Sequence, residues 1–427
     1  MSRLEQLVRY MSNVFHVVRL VKGVSDSRDK SRIRIETSAV LLAWMMGFFA
    51  RIRSREEMGR LLDRHAVQRL VGRHISSDTL GRVLEQIDSD SLRNSLLVPV
   101  VRKIRRNKAW ASGTVHGRLL IAIDGSHAFT TRKQPCPQCC SRQVEVKLDG
   151  QPTIVTEYYH RAVWAFVIGT DPLIYLDLEP IQPGEGEAVA AMRLVTRLFT
   201  NFGRWIDGVV VDAGFAGAPF LNHVRSSGGH YIVRVKDEER RLLLRAATEL
   251  SAQRPADDTW TKHIGHHNLC ATVWDQEGFT QWDGLQEPAR VVICDELELA
   301  QAAYRRRQNP QPARQRPRAF FATSYSKQAF SAHAVCSAYH RRWDIENNGN
   351  RQLKQEWHWD HPFVHTPEAL TNLWLLMAVA ANLFAVFAVR RLNITRTSTT
   401  PLYTVAHQIA AELLTLTVAT VPSWNTT

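Results

Sequence analysis

Apolar residues recur at helical spacing from the start of the chain, as in Leu4, Leu7 and Val8 and then Val14, Val17 and Val18, with basic residues between them. The pattern predicts a mainly helical segment over residues 1 to about 110. Within it, Ser76, Ser77 and Asp78 precede Thr79-Leu80-Gly81-Arg82-Val83-Leu84. That is the form of a capped helix start, and a short helix with a basic face suits a DNA groove or the surface of a helical bundle equally. The texture changes at Arg118. Leu119-Leu120-Ile121-Ala122-Ile123 is a continuous apolar run ending in Asp124-Gly125-Ser126-His127, which predicts a buried strand with a carboxylate at its end. Strand-like runs follow at 162–168 and 173–178, then Ala188, Ala191, Leu194 and Leu198 at helical spacing. Gly208-Val209-Val210-Val211 is a further strand ending in Asp212-Ala213-Gly214, and Tyr231-Ile232-Val233-Arg234-Val235 another. Strands alternating with helices predict an α/β sheet covered by helices.

Between 238 and 316 the pattern weakens into short strand-like pieces separated by polar turns, which reads as a β-rich insertion, with an arginine-, glutamine- and proline-rich basic loop at 304–318. The core resumes at Ala319-Phe320-Phe321-Ala322-Thr323, a helical region runs from Ala332 to Lys354, and an apolar stretch covers 373–389. That stretch contains Asn382 and falls short of the ~20 residues of a membrane span, so it is expected to be a buried core helix, with no membrane involved. The expected division is 1–112, a helical DNA-binding domain; 113–237, the first part of the core; 238–316, the insertion; 317–390, the second part of the core; and 391–427, a C-terminal helical segment.

The chain has 427 residues and a formal net charge of +13, with 44% hydrophobic and 22% charged residues. The balance is that of a globular protein with a polyanionic partner, nucleic acid first. The first ten residues already mix charged with apolar side chains, and the six cysteines do not form a disulfide framework in a chain this long. A reducing cytoplasm is expected, with association to the nucleoid when DNA is bound.

Two strands ending in Asp124 and Asp212, and later a helix presenting Glu346, offer three carboxylates from distant parts of the chain. Crowded carboxylates repel unless a divalent cation neutralises them. Oxygen donors suit Mg2+ or Mn2+, and two such ions about 4 Å apart activate a water and stabilise the leaving oxygen of a phosphodiester. The helix reads Tyr339-His340-Arg341-Arg342-Trp343-Asp344-Ile345-Glu346, which places Tyr339, Arg342 and Glu346 on one face. Arg342 can grip phosphate oxygens bidentately and Tyr339 can donate a hydrogen bond or stack on a base. Asp207 stands at the wrong end of its strand, Asp344 points away from the Tyr339 face, and Glu185 and Glu187 fit the role of helix-start acids.

At these residues the sequence resembles the DDE transposases of bacterial insertion sequences, in the group marked by Tyr-x2-Arg-x3-Glu-x6-Lys. The resemblance spans roughly residues 70 to 390. It implies a ribonuclease-H-like core with two magnesium ions, a β-rich insertion between the second aspartate and the glutamate, and cut-and-paste chemistry on element ends. The lysine of the pattern falls at Lys354, eight positions after Glu346 where seven are expected, and position 353 is Leu353. Lys354 is the candidate phosphate-binding lysine, with Arg351 as its substitute.

The implied reaction is metal-dependent hydrolysis at a transposon end followed by attack of the freed 3′ hydroxyl on target DNA. Holding two ends implies a homodimer on double-stranded DNA. A ribonuclease-H-like nuclease without joining activity, or a catalytically silent DNA-binding derivative, are the alternatives. Cys136-Pro137-Gln138-Cys139-Cys140 has metal-ligand spacing that His127 or His160 could complete, but no second Cys-x2-Cys pair is present, and a turn with reduced thiols is preferred over structural Zn2+ at Cys136 and Cys139. Of Trp260, Trp274 and Trp282 in the insertion, one is expected to stack on an extruded base.

A DNA partner makes a direct prediction. The logarithm of the association constant for duplex DNA, measured by fluorescence anisotropy, should fall linearly with the logarithm of salt concentration, with a slope of about −0.9 per phosphate neutralised. A flat response would remove duplex DNA as the partner.

Overall fold

The computed structural model describes residues 1–108, 114–134, 136–148, 150–236, 240–264, 267–300, 313–345, 349, 351–394 and 401–424. The chain forms two compact units, one from residues 1–112, 124–190 and 344–427, the other from 113–123 and 191–343. The architecture is mixed α/β with a mixed sheet.

In the first unit, helices dominate up to Arg106. The predicted cap is present: Ser76 accepts a hydrogen bond from the Thr79 N–H and starts the helix Ser77–Gln86. Strand β1 (Leu120–Thr131) contributes its residues from Asp124 onward, beside β2 (Cys140–Leu148), β3 (Gln151–Val167) and β4 (Ile174–Pro180). The long β3 pairs antiparallel with β2 through its first half and with β4 through its second. Along its second half, Ala162 to Val167 are buried without a break, because β3 has protein on both faces there.

The helix Pro367–Leu392 organises this unit. It is long and apolar enough to cross a membrane by length and composition, but it packs against the helices Ser77–Gln86 and Thr37–Phe49 and against β4. Two asparagines explain how an apolar helix is held in one register. Asn382 is fully buried, and its side-chain amide pairs with both backbone groups of Tyr175: Tyr175 N–H donates to Oδ1 at 2.9 Å and Nδ2 donates to the Tyr175 carbonyl at 2.8 Å. The amide thus takes the place of a neighbouring strand on β4. Ten residues earlier Asn372 donates to the carbonyls of Leu84 and Ile87, both at 2.9 Å, and accepts from Ser89 Oγ. These carbonyls belong to the end of the helix Ser77–Gln86, where intrahelical partners run out.

In the second unit the first residues of β1 pair in parallel with β5 (Gly208–Val211), which pairs in parallel with β6 (His230–Val235). The sheet then continues antiparallel through β11 (Ala319–Thr323), β9 (Ala289–Ala300), β8 (His267–Phe279) and β7 (Asp258–Ile264), with the two-residue β10 (Arg314–Gln315) on β9. Strands from the stretch 238–316 therefore join the same sheet as β11. That stretch also opens with a helix, Arg241–Gln253, where sequence reading saw only short strand-like pieces. The signal was Leu243, Leu244 and Ala247 at helical spacing, all buried, but flanking arginines obscured it. Of the basic loop, residues 304–312 lie outside the described residues.

A buried ion pair ties this sheet to the segment that follows it. Arg290 on β9 grips Asp275 on β8 through two bonds of 2.8 Å and donates from Nη1 to the carbonyls of Tyr325 and Phe330. Those carbonyls lie just before the helix Ala332–Asp344, so the pair fixes where that helix begins.

Replacing Asn382 by leucine tests the packing. It would remove both hydrogen bonds between the Asn382 amide and the buried backbone of Tyr175, each contributing about 1 kcal/mol. Urea unfolding should show a clear fall in midpoint with unchanged slope. A rise in stability would mean that the helix prefers an apolar medium to its present neighbours.

Candidate functional site

The parallel ladder in the second unit pairs Leu120 with Gly208, Ile121 with Val209 and Ala122 with Val210. From Ala122 and from Val210 alike, one more apolar residue leads to an aspartate, Asp124 and Asp212. Asp212 is half-buried at the end of β5 and caps the short 3-10 turn Ala213–Phe215, its Oδ1 accepting from the Gly214 N–H at 2.9 Å. A Cβ on residue 214 would lie a tight 3.1 Å from that oxygen. Asp207, at the opposite end of β5, accepts from the Leu119 N–H at 2.7 Å and from Arg118, so it serves the strand pairing.

The helix Ala332–Asp344 meets the same end of this unit. Tyr339 packs on Phe321 of β11 with ring centroids 4.6 Å apart, and Phe321 is in register with Arg234 of β6. Arg234 follows the last β5–β6 pair, Val211 with Val233, as Asp212 does on its own strand. Burial pushes the Tyr339 hydroxyl above its ordinary value, the cations Arg342 and Arg234 pull it down, and the Asp212 charge raises it again. Tyr339 is therefore near enough to Arg342, Arg234 and Asp212 to sense the charge of each. Arg342 is only 4% exposed, with its guanidinium 5.5 Å from the Tyr339 ring centre and 5.7 Å from that of Trp343. Arg234 escaped sequence reading. Its one signal was a cation inside an otherwise apolar strand.

In the first unit, Asp124 accepts from the Gly125 N–H at 3.0 Å. A Cβ on Gly125, the residue after Asp124, would sit 2.5 Å from the Glu187 carboxylate, so the glycine makes room for that second acid. Glu187 pairs with Arg161 at 3.5 Å, a distance and partner that its position at a helix start did not reveal. His127, stacked on Tyr159 at 4.9 Å, is held below its ordinary value by burial and then by Arg142, Arg161 and Lys354. Two of these cations are themselves paired, Arg142 with Glu157 at 2.9 Å and Arg161 with Glu187. Lys354 is half-buried within this group, whereas Leu353 is fully buried. The one-residue offset of the lysine thus keeps an apolar side chain in the core. Arg351 is exposed and donates from Nε to Gln355. Glu346 lies outside the described residues.

Asp177, another strand carboxylate, is buried and accepts from Arg93 Nε at 3.1 Å and from the Leu178 N–H at 2.8 Å, which commits it to the core. Trp282 is buried with Arg240 over its ring, whereas Trp260 and Trp274 are half-exposed, Trp260 meeting His333 edge-on at 4.8 Å and Trp274 lying 5.3 Å from the Arg318 guanidinium.

Residues 165–383, more than half of the chain, match the family described as transposase DDE domain. The chain belongs to that family. DDE transposases are nucleic-acid-cleaving enzymes that generally use divalent metal ions, so a transposase with a DNA partner follows from membership. The matched segment contains Asp212, Arg234, Tyr339 and Arg342 and begins after Asp124. No curated protein matches the sequence. Among solved structures, one titled as the cryo-EM structure of piggyBac transposase synaptic complex with hairpin DNA is similar with a TM-score of 0.39 and 12% identity, covering 96% of this chain and 80% of that one.

The surroundings of Arg342 yield a prediction for this transposase. A planar guanidinium fixes a phosphate through two parallel bonds and stacks on aromatic rings, neither of which lysine reproduces. Arg342→Lys should therefore lower single-turnover cleavage of a pre-nicked end about a hundredfold, the usual cost of misplacing a reacting group by about 1 Å, with DNA affinity changed far less. Equal rates would leave Arg342 a packing residue.

Proposed function

We propose that this transposase binds the ends of a mobile element, cleaves them and joins the freed 3′ ends to target DNA, with Asp124, Asp212 and Glu346 as the metal-binding triad of a ribonuclease-H-like core. The observation that carries the reading is the parallel ladder, in which each paired strand runs from Ala122 or Val210 through one apolar residue to an aspartate. Family membership supplies the rest of the argument.

Three carboxylates form a hard-oxygen donor set that fits Mg2+ or Mn2+. Two ions, when bound, would lower the pKa of a water and neutralise charge on the leaving oxygen. The chain's own groups orient the substrate. Arg342 grips the phosphate next to the scissile bond, and Tyr339, held protonated by burial, donates a hydrogen bond to it. Lys354, with Arg351 on the exposed side, neutralises the neighbouring phosphate. Hydrolysis and transesterification are both in-line displacements at phosphorus, so one site serves both steps. Each site acts on one end, and synchronising two ends calls for a homodimer assembled on DNA, in the cytoplasm at the nucleoid.

Asp124→Ala, Asp212→Ala and Glu346→Ala should each reduce magnesium-dependent cleavage of an element end below detection while leaving DNA affinity within about threefold, because losing a carboxylate removes no cation that neutralises a phosphate. Cleavage near the wild-type rate by any one variant removes that residue from the triad. A strand-transfer assay on the same DNA separates a joining enzyme from a nuclease that only cuts.

A further inference from the structure

Away from the carboxylates, the first unit gathers a different set of donors. Cys136 and Cys139 flank a Pro-Gln turn just before β2, and the β2–β3 register pairs Cys140 with Tyr159, so one step further Cys139 stands opposite His160. The two sulfurs are 3.5 Å apart, and His160 Nε2 lies 3.3 Å from one and 3.4 Å from the other. All three residues are buried, at 9%, 6% and 7% exposure.

Neither of the ordinary explanations accounts for this triangle. A disulfide requires about 2.05 Å between sulfurs. A thiol hydrogen bond to His160 explains one short contact, but a ring nitrogen has one lone pair and both sulfurs approach it equally. A tetrahedral zinc with bonds of about 2.3 Å to sulfur and 2.05 Å to nitrogen would put its ligands about 3.8 Å apart for sulfur–sulfur and about 3.5 Å for sulfur–nitrogen. The observed sides match within a few tenths of an ångström. Cys140, next in sequence, does not belong to the set, for its sulfur points to the Ile181 carbonyl at 3.8 Å.

We propose that Cys136, Cys139 and His160 bind one zinc ion, with water in the fourth position. Thiolate and imidazole donors select zinc over magnesium, so this site is chemically separate from the carboxylates. Binding releases one proton from each cysteine thiol to solvent, His160 contributes a lone pair, and no electron is transferred. Two thiolates and a neutral imidazole bring Zn2+ to zero net charge, which suits a buried place where an unbalanced ion would be costly. The ion clasps the loop between β1 and β2 onto β3, the strand whose second half pairs with β4.

The full chain, purified with reductant and titrated with ZnCl2 alone, should take up one zinc per chain by elemental analysis and release two protons in weakly buffered solution. Titration with CoCl2 should give the near-ultraviolet thiolate-to-cobalt charge-transfer band and the visible bands of tetrahedral cobalt. Cys136→Ser, Cys139→Ser and His160→Ala should each lose at least nine-tenths of the bound zinc, whereas Cys140→Ser should keep it. Should a variant fail to fold, the cobalt spectrum of the wild-type chain still decides. A folded, reduced wild-type chain without the charge-transfer band, or a Cys140→Ser variant that loses zinc as fully as Cys136→Ser, overturns the proposal.

Discussion

The burial of the helix Pro367–Leu392 is the constraint on which the first unit rests. An apolar helix gains by leaving water but gains nearly as much in many rotations and translations, because the hydrophobic effect has no direction. Asn372 and Asn382 remove that freedom. Each is fully buried, and each amide is matched to backbone groups of a neighbouring element. A shift of one residue along the helix would leave both amides and their backbone partners unsatisfied, at a cost of several kcal/mol. The same two residues set the positions of β4 and of the helix Ser77–Gln86.

In the second unit the corresponding role falls to Arg290. Its guanidinium is almost fully buried, and its three bonding directions are spent on Asp275 and on the carbonyls ahead of the Tyr339 helix. Buried pairs of this kind contribute more to fixing geometry than to net stability. What they fix here is the start of a helix whose far turns carry Tyr339 and Arg342 toward the charge of Asp212.

Elements with strong one-dimensional signals were legible in the sequence. The runs Leu119 to Ile123 and Gly208 to Val211 announce buried strands by apolar continuity alone, and the Ser76 cap announces its helix by residue type. The helix Arg241–Gln253 was hidden because its apolar stripe is narrow among arginines. Contacts made across the fold were not legible at all. Nothing in the chain near Gly125 predicts that Glu187, more than sixty residues on, will fill the space a side chain would take, and nothing near Arg234 predicts its register beside Phe321. The Cys-x2-Cys turn was visible with His127 and His160 as its two candidate partners, and only the β2–β3 register, which brings His160 into range, chooses between them.

Two metal chemistries in one chain would change how loss of metal must be interpreted. Carboxylates hold Mg2+ weakly and exchange it readily, whereas thiolate and imidazole hold zinc tightly enough for binding to be coupled to folding. A strong chelator removes both, so inactivation by chelation alone cannot say which ion mattered. Omitting magnesium leaves a zinc clasp intact and should stop chemistry without altering the fold, while removing zinc loosens the segment from β1 to β3 even with magnesium in excess. The strand that delivers Asp124 runs directly into the clasped loop, so a loosened loop would reach the carboxylates through β1 itself and would present as a catalytic defect with a structural cause.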